Sequence, residues 1–201
     1  NICLGINFGK SKITPLDKST EDYLASLKQL IPYCDYATIN VSSPNTKGLR
    51  KLQDPSLLKE LLYEIKLLNE CPPLFVKIAP DLNFKEIDEI CQIINDMKIE
   101  GLIATNTSLD RLGLKDRIIL QTGNKLDNES GGLSGRPLQR KANNIIKHIH
   151  NNDKKIILIG VGGIDSPKAA WERICSGASL IQLYTGWIYK GPLLVPEIAK
   201  G

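Results

Sequence analysis

The 201-residue sequence contains no run of about 18 apolar residues, so no stretch of it is long enough to cross a bilayer as a helix. Its start shows no basic-then-apolar leader pattern. C-x-x-C pairs are absent. The five cysteines (Cys3, Cys34, Cys71, Cys91, Cys175) are scattered and odd in number, which disfavours a zinc site or a disulfide framework and fits a reducing compartment. There are only two histidines, His148 and His150. They stand two apart on a helical stretch and face different ways, so no metal site is expected. A continuous basic face is also lacking. The 26 Lys+Arg against 22 Asp+Glu leave a net charge of +4, and the clusters Lys10/Lys12, Lys47/Arg50/Lys51 and Lys154/Lys155 are short and carry no interleaved aromatics. They read as solvated surface, and no nucleic-acid partner is expected. Neither a linker-like composition shift nor an internal repeat divides the chain, so residues 1–201 read as one domain. The chain opens on Asn1, and Ile2–Ile6 already reads as a buried strand, so it is expected to be part of a longer protein.

What is present is a rhythm. At 42% hydrophobic and 24% charged the composition is that of an ordinary globular protein. Short apolar runs (2–7, 36–41, 74–78, 101–105, 156–159, 180–183) alternate with helical periods (19–31, 55–68, 84–97, 138–149, 167–175, 192–200). Asp54-Pro55 and Asn83 with Glu86 are helix-start signals, the second a capping box. Trp171 and Trp187 are expected in the core. Strands that are apolar throughout, each followed by a helix, predict a parallel sheet with right-handed crossovers. An open doubly wound sheet competes with a (β/α)8 TIM barrel. Six units in 201 residues is about 33 per unit, so eight would need roughly 265, near the usual barrel length of ~250. The expectation is a partial barrel of six βα units. One stretch breaks the rhythm: more than 20 residues separate Asn106 from Gly131-Gly132, a length that usually signals a functional or disordered loop.

In parallel α/β folds ligands gather at the C-terminal ends of strands. Here every strand ends in polar or glycine positions: Asn7, Asn40 with Val41-Ser42-Ser43-Pro44-Asn45-Thr46, Lys77, Thr105-Asn106-Thr107, Gly162-Gly163 and Tyr184-Thr185. Six such ends aimed at one rim suggest a polar ligand pocket, because buried polar groups must be paired or face a ligand. Lys77 reads either as a solvent-facing lysine or as a cation beside a cofactor ring. Asn40, Asn45 and Asn106 can clamp a planar molecule rich in N–H and C=O groups, although the same residues also make capped turns. Gly160-Val161-Gly162-Gly163 is a phosphate-loop candidate. It is not G-x-G-x-x-G, since Asp165 takes the last glycine place, so the dinucleotide fingerprint fails.

Taken together, the runs Gly5–Lys10, Asn40–Thr46 with Gly48-Leu49-Arg50, Val76–Leu82, Thr105–Thr107, Gly131–Leu138, Gly160–Gly163 and Gly177–Thr185 resemble, in colinear order over essentially the whole chain, the quinone-linked class 2 dihydroorotate dehydrogenases. The resemblance implies an FMN enzyme that oxidises dihydroorotate to orotate in pyrimidine biosynthesis. It places the six strands as barrel strands 3 to 8. By the same resemblance Ser43 is the base that takes the C5 proton, where the soluble class carries cysteine, and Thr46 is the nearest candidate for relaying that proton. Asn40, Asn45, Asn106 and Thr107 hold the pyrimidine. Asn7, Asn40, Lys77 and Thr105 contact the isoalloxazine. Ser134, Gly135, Gly162, Gly163, Tyr184 and Thr185 contact the ribityl chain and phosphate.

The resemblance further implies a ubiquinone-type acceptor and membrane contact through an N-terminal region outside this sequence. A mitochondrial inner membrane is expected ahead of a bacterial one. A six-stranded piece by itself is expected to be inactive or poorly stable, because its sheet edges are open. Leu112–Glu129 looks longer than the family's usual loop and is expected to act as a modified lid. Two other readings compete: another flavin barrel acting on a dihydropyrimidine or dihydrouridine, which would carry a cysteine acid in place of this serine loop, and a non-catalytic phosphate-binding barrel remnant.

Overall fold

The fold is taken from a computed structural model that describes residues 2–112, 114, 118–120 and 122–201. The elements alternate from end to end: β1 (Gly5–Phe8), α1 (Ser19–Leu30), β2 (Tyr36–Asn40), α2 (Pro55–Lys66), β3 (Leu74–Ile78), α3 (Phe84–Asp96), β4 (Gly101–Ala104), α4 (Gln139–Asn152), β5 (Ile157–Val161), α5 (Pro167–Cys175), β6 (Leu180–Gln182), α6 (Thr185–Lys190) and α7 (Leu194–Lys200). All neighbouring strands pair in parallel, in the order β1-β2-β3-β4-β5-β6. That order decides between the two architectures. A doubly wound sheet reverses direction at a switch point, whereas consecutive barrel units simply follow one another. The sheet is therefore part of a (β/α)8 barrel.

Two helix starts are those the sequence signals, and a third, at Ser166, is added by the structure. Asp54 Oδ1 accepts from the Ser56 and Leu57 N–H groups ahead of Pro55. Asn83 and Glu86 close a reciprocal capping box. Ser166 caps α5 through Ala169 N–H. Helices α1 to α4 each bury one stripe against the sheet: Tyr23 and Leu27 from α1, Leu58, Leu61, Leu62 and Ile65 from α2, Ile87, Ile90 and Ile94 from α3, and Ile145, Ile146 and Ile149 from α4. These meet Ile39, Leu74, Val76, Ile78, Leu102 and Leu158, which are alternate residues of the strands. The opposite strand face is the barrel interior. A small cluster of Phe75, Ile103, Ile159 and Val161, with Tyr36 edge-on to Phe75 at 5.6 Å, fills it. Strand alternation then puts Asn40, Lys77 and Thr105 on this inner face, one step above the apolar plug.

Several expectations are corrected. The two tryptophans are not core residues: Trp171 is 66% and Trp187 44% exposed. Lys10 is not solvated surface. It is buried, and its Nζ donates to the Ser11 and Thr14 carbonyls, closing the turn after β1. Strand β1 begins at Gly5, leaving Ile2 exposed. Helix α6 was not expected, because its six residues are too few to show a period. The long stretch after β4 folds back on itself through antiparallel bridges at Ser108–Leu133 and Ile118–Lys125. Residues 113, 115–117 and 121, within the expected lid, lie outside the described residues.

Candidate functional site

The β2 end builds the first wall. Asn40 Oδ1 accepts from Ser42 N–H (3.1 Å) and Ser42 Oγ (2.8 Å), and Asn106 Nδ2 reaches both Asn40 Oδ1 (3.3 Å) and Ser42 Oγ (3.0 Å). The Tyr23 hydroxyl donates to the Asn40 carbonyl at 2.7 Å, fixing the strand end from α1. Asn40 Nδ2 has no partner among the described residues and is left as a donor. Ser43 follows directly. Its Oγ accepts from Asn45 N–H at 3.2 Å, a bond that favours negative charge on that oxygen.

Lys77 stands beside Asn40 in the sheet register. It is half-buried and pairs with no carboxylate among the described residues, and burial pushes its ammonium below the usual lysine range. At the β4 end the Ala104–Thr105 peptide is cis, and Asn106 Oδ1 accepts from Thr107 N–H at 2.7 Å. Gly132 packs so closely on Thr107 that a side chain there would collide with it and crowd Pro44. The loop before α4 is thereby seated on the β2 and β4 ends.

The β5 end supplies the glycines. Gly162 (φ 104°) and Gly163 (φ 74°) both adopt left-handed backbone, and a Cβ on Gly163 would lie 2.6 Å from the Gln139 backbone. Behind them Arg173 is wholly buried, with no carboxylate partner among the described residues. Its guanidinium donates to Asn143 Oδ1 (2.5 Å), the Gly162 carbonyl (2.7 Å) and the Val161 carbonyl (3.0 Å), and burial lowers it to about 10.

These walls enclose a cavity of about 130 Å³ lined by Lys77, Thr105, Asn106, Thr107, Ser134, Gly135, Gly162, Gly163, Tyr184 and Thr185, among others. A larger cleft of about 610 Å³ adjoins it, sharing Ser134, Gly135, Gly163 and Thr185 and adding Arg136, paired with Asp165 at 2.6 Å. Ten of the residues singled out in the sequence thus line one space, and Asn40 is bonded into its wall. Asn7, Ser43 and Asn45 line neither cavity. Asn7 sits exposed on the inner face of β1, and Asn45 is exposed with its Oδ1 against Gly131.

Three residues hold this site together that sequence reasoning either assigned to the solvated surface (Arg50) or left without a role (Asp81, Arg173). Arg50 joins the Ser42 and Thr107 carbonyls to Asp81. Asp81 feels burial pushing its carboxyl up, but donors from Ser108, Leu109 N–H, Lys141 and Arg50 outweigh that and hold it at about 2. Arg173 backs the glycine turn. No local pattern in the sequence singles out these three, since Arg50 stands beside Lys51 and Arg173 beside Glu172.

The sequence model of the dihydroorotate dehydrogenase family matches residues 1–201. The chain belongs to this family. A curated relative from Prochlorococcus marinus, named dihydroorotate dehydrogenase (quinone), is 55% identical over 199 residues, 98% of this chain and 51% of its own. One of the same name from Nostoc punctiforme is 50% identical, covering 100% and 54%. The crystal structure of ligand-free dihydroorotate dehydrogenase from Eimeria tenella superposes with a TM-score of 0.85 at 33% identity, over 98% of this chain and 58% of that one. The chain spans about half the length of the curated relatives it matches. The expectation of a mitochondrial inner membrane is overturned: these curated relatives are bacterial, at up to 55% identity. No helix among the described residues is long and apolar enough to cross a membrane.

Proposed function

We propose that the chain forms the flavin- and substrate-binding part of a quinone-linked dihydroorotate dehydrogenase, which oxidises (S)-dihydroorotate to orotate in pyrimidine biosynthesis and passes the electrons to a quinone. The observation that carries this reading is the convergence of Lys77, Thr105–Thr107, Gly162-Gly163 and Tyr184-Thr185 on one cavity, in a chain that matches the family along its whole length.

The residues present suit FMN. A half-buried ammonium with no carboxylate partner among the described residues faces a cavity, and beside it lies a turn of two left-handed glycines. When bound, FMN supplies the acceptor for the hydride that leaves C6 of the substrate. The chain's own groups do the rest. Lys77 would hold the flavin's pyrimidine edge, and its ammonium, partly withdrawn from water, would favour negative charge there. Asn7 and Thr105 contact the ring. Ser134, Gly135, Gly163, Tyr184 and Thr185 take the ribityl phosphate, with backbone N–H groups exposed by the glycine turn. Asn40 Nδ2 is free to donate to the pyrimidine, alongside Asn45, Asn106 and Thr107. Ser43 takes the C5 proton as its own hydroxyl proton passes on to solvent, with Thr46 as the nearest relay and the Asn45 N–H stabilising the negative charge that develops on Oγ.

The test uses protein expressed from its complete reading frame. It should purify yellow, release FMN on denaturation and be bleached by dihydroorotate. Ser43→Ala should retain the colour and lose bleaching by at least about 100-fold, the scale of a general-base contribution. Bleaching at the wild-type rate would remove Ser43 from the chemistry. A yellow protein indifferent to dihydroorotate would overturn the substrate assignment.

A further inference from the structure

Resting on that reading, we infer that Arg50 is a positioning residue: held by Asp81, it sets the placement of the Ser43 and Thr107 segments against each other. Its guanidinium makes three bonds in three directions. Nε donates to the Ser42 carbonyl at 2.9 Å, Nη2 to the Thr107 carbonyl at 2.7 Å, and Nη1 to Asp81 Oδ2 at 2.7 Å. The Ser42 carbonyl belongs to the peptide that carries the Ser43 nitrogen, so the first bond acts directly on the proposed base. The second acts on the segment that ends the Asn106 knot.

Asp81 is itself fixed. It accepts from Ser108 Oγ, from Leu109 N–H at 2.9 Å and from Lys141 Nζ at 2.9 Å. Gln53 pins the arginine's own backbone, donating to the Arg50 carbonyl at 3.3 Å while accepting from Ala79 N–H at 2.8 Å. The loops after β2, β3 and β4 and the first turns of α4 are thus joined at one guanidinium. A planar five-donor fork can span two carbonyls and a carboxylate at once. A lysine is a point charge on a flexible stem and does not hold that plane. The Asn106 bonds to Asn40 Oδ1 and Ser42 Oγ tie these two loops at the strand ends, and Arg50 sets the Ser42 and Thr107 peptides beyond that tie; a misplacement of about 1 Å at a reacting group costs about 100-fold in rate.

Arg50 also lines a surface groove of about 450 Å³ with Gln53, Leu57, Leu82 and Glu86, so a small cation can reach its place from solution. This permits a test that separates positioning from mere stability. In the flavin-loaded protein from the complete reading frame, the limiting rate of flavin reduction by dihydroorotate is measured for wild type, Arg50→Ala, Arg50→Lys, Asp81→Asn and Arg50→Ala/Asp81→Asn, with flavin content and melting temperature alongside. Arg50→Ala is expected to keep its flavin and reduce about 100-fold more slowly. Added guanidinium should restore at least a tenth of the lost rate, and ammonium should not. The double variant should be no slower than Arg50→Ala, because both changes dismantle one clamp.

Near-wild-type reduction by Arg50→Ala would overturn the inference. So would a slow variant that guanidinium leaves slow and in which the two losses multiply in full. If Arg50→Ala does not hold flavin, Arg50→Lys carries the same test, with slow reduction at full flavin content in support and wild-type reduction against. A wild type that binds flavin but ignores dihydroorotate would overturn the functional reading, and this role for Arg50 with it.

Discussion

Replacing Arg173 with methionine sets two large opposing effects against each other. The side chain is 0% exposed, and burial lowers its guanidinium from an ordinary 12.5 to about 10. That shift corresponds to about 3 kcal/mol against the charged form, at roughly 1.4 kcal/mol per pH unit. On the other side stand its bonds to Asn143 Oδ1, Gly162 O and Val161 O. Bonds from a charged donor contribute about 1.5–3 kcal/mol each, so three outweigh the burial cost by about 1–6 kcal/mol. Methionine keeps the volume and removes the donors. Val161 O would still accept from Thr105 N–H at 2.9 Å, whereas Gly162 O and Asn143 Oδ1 have no other donor among the described residues. Two orphaned acceptors at about 1–3 kcal/mol each give about 2–6 kcal/mol, which overlaps that range. The expected loss is about 3 kcal/mol, read as a lower urea midpoint at unchanged slope. Arg173→Lys should recover about half. Since Gly162 lies in the proposed phosphate turn, Arg173→Met should also weaken FMN more than riboflavin. A methionine variant as stable as wild type would refute the reasoning. It would mean that desolvation wins, as it does where buried ion pairs are replaced by apolar residues without loss.

Asp81 gives a pH signature. Its carboxyl sits at about 2 in the folded chain against an ordinary 3.8, so the unfolded chain binds the proton first as pH falls. The stabilisation is complete above about pH 4 and is lost as pH drops through about 2, amounting to about 1–2 kcal/mol once solvent screening is allowed for. Urea midpoints measured across that window should fall for wild type and stay flatter for Asp81→Asn; parallel curves would refute the assignment. Gly48 and Gly163 form a matched pair. Both have left-handed backbone (φ 76° and 74°), but a Cβ on Gly48 meets nothing within 4 Å while one on Gly163 meets the Gln139 backbone. Gly48→Ala should cost about 1–2 kcal/mol for the backbone alone. Gly163→Ala should add about 1–3 kcal/mol of overpacking and loosen FMN. Equal costs would show that α4 yields freely.

The βα order, the helix caps and the inner-facing polar strand ends were legible because each rests on short-range regularities. Asp54-Pro55 and Asn83 with Glu86 are capping patterns complete within four residues. Lys77 in Leu74–Ile78 is placed by strand alternation alone. The failures share a different cause. Trp171 and Trp187 were assigned to the core by residue type, but type does not say which helix face meets the sheet, and both lie outside the buried stripes. Lys10 was assigned to solvent by charge, but two carbonyls four residues or less away satisfy it.

The residues placed at the rim and the residues that hold them there differ in how far they reach. Asn40, Lys77, Thr105 and Gly163 stand on or directly after strands, so locating the strands locates them. Arg50 acts across 31 residues to Asp81 and 57 to Thr107, and Asp81 reaches 60 residues to Lys141. Nothing local marks such partners, because each bond exists only once the parallel strands are in register. A one-residue slip of β3 against β2 would turn Lys77 away from the inner face and shift Asp81 from Arg50 together. The clamp and the inner-facing lysine therefore depend on the same register. Side chains that carry no expected contact with a ligand still belong to the site through the geometry they impose.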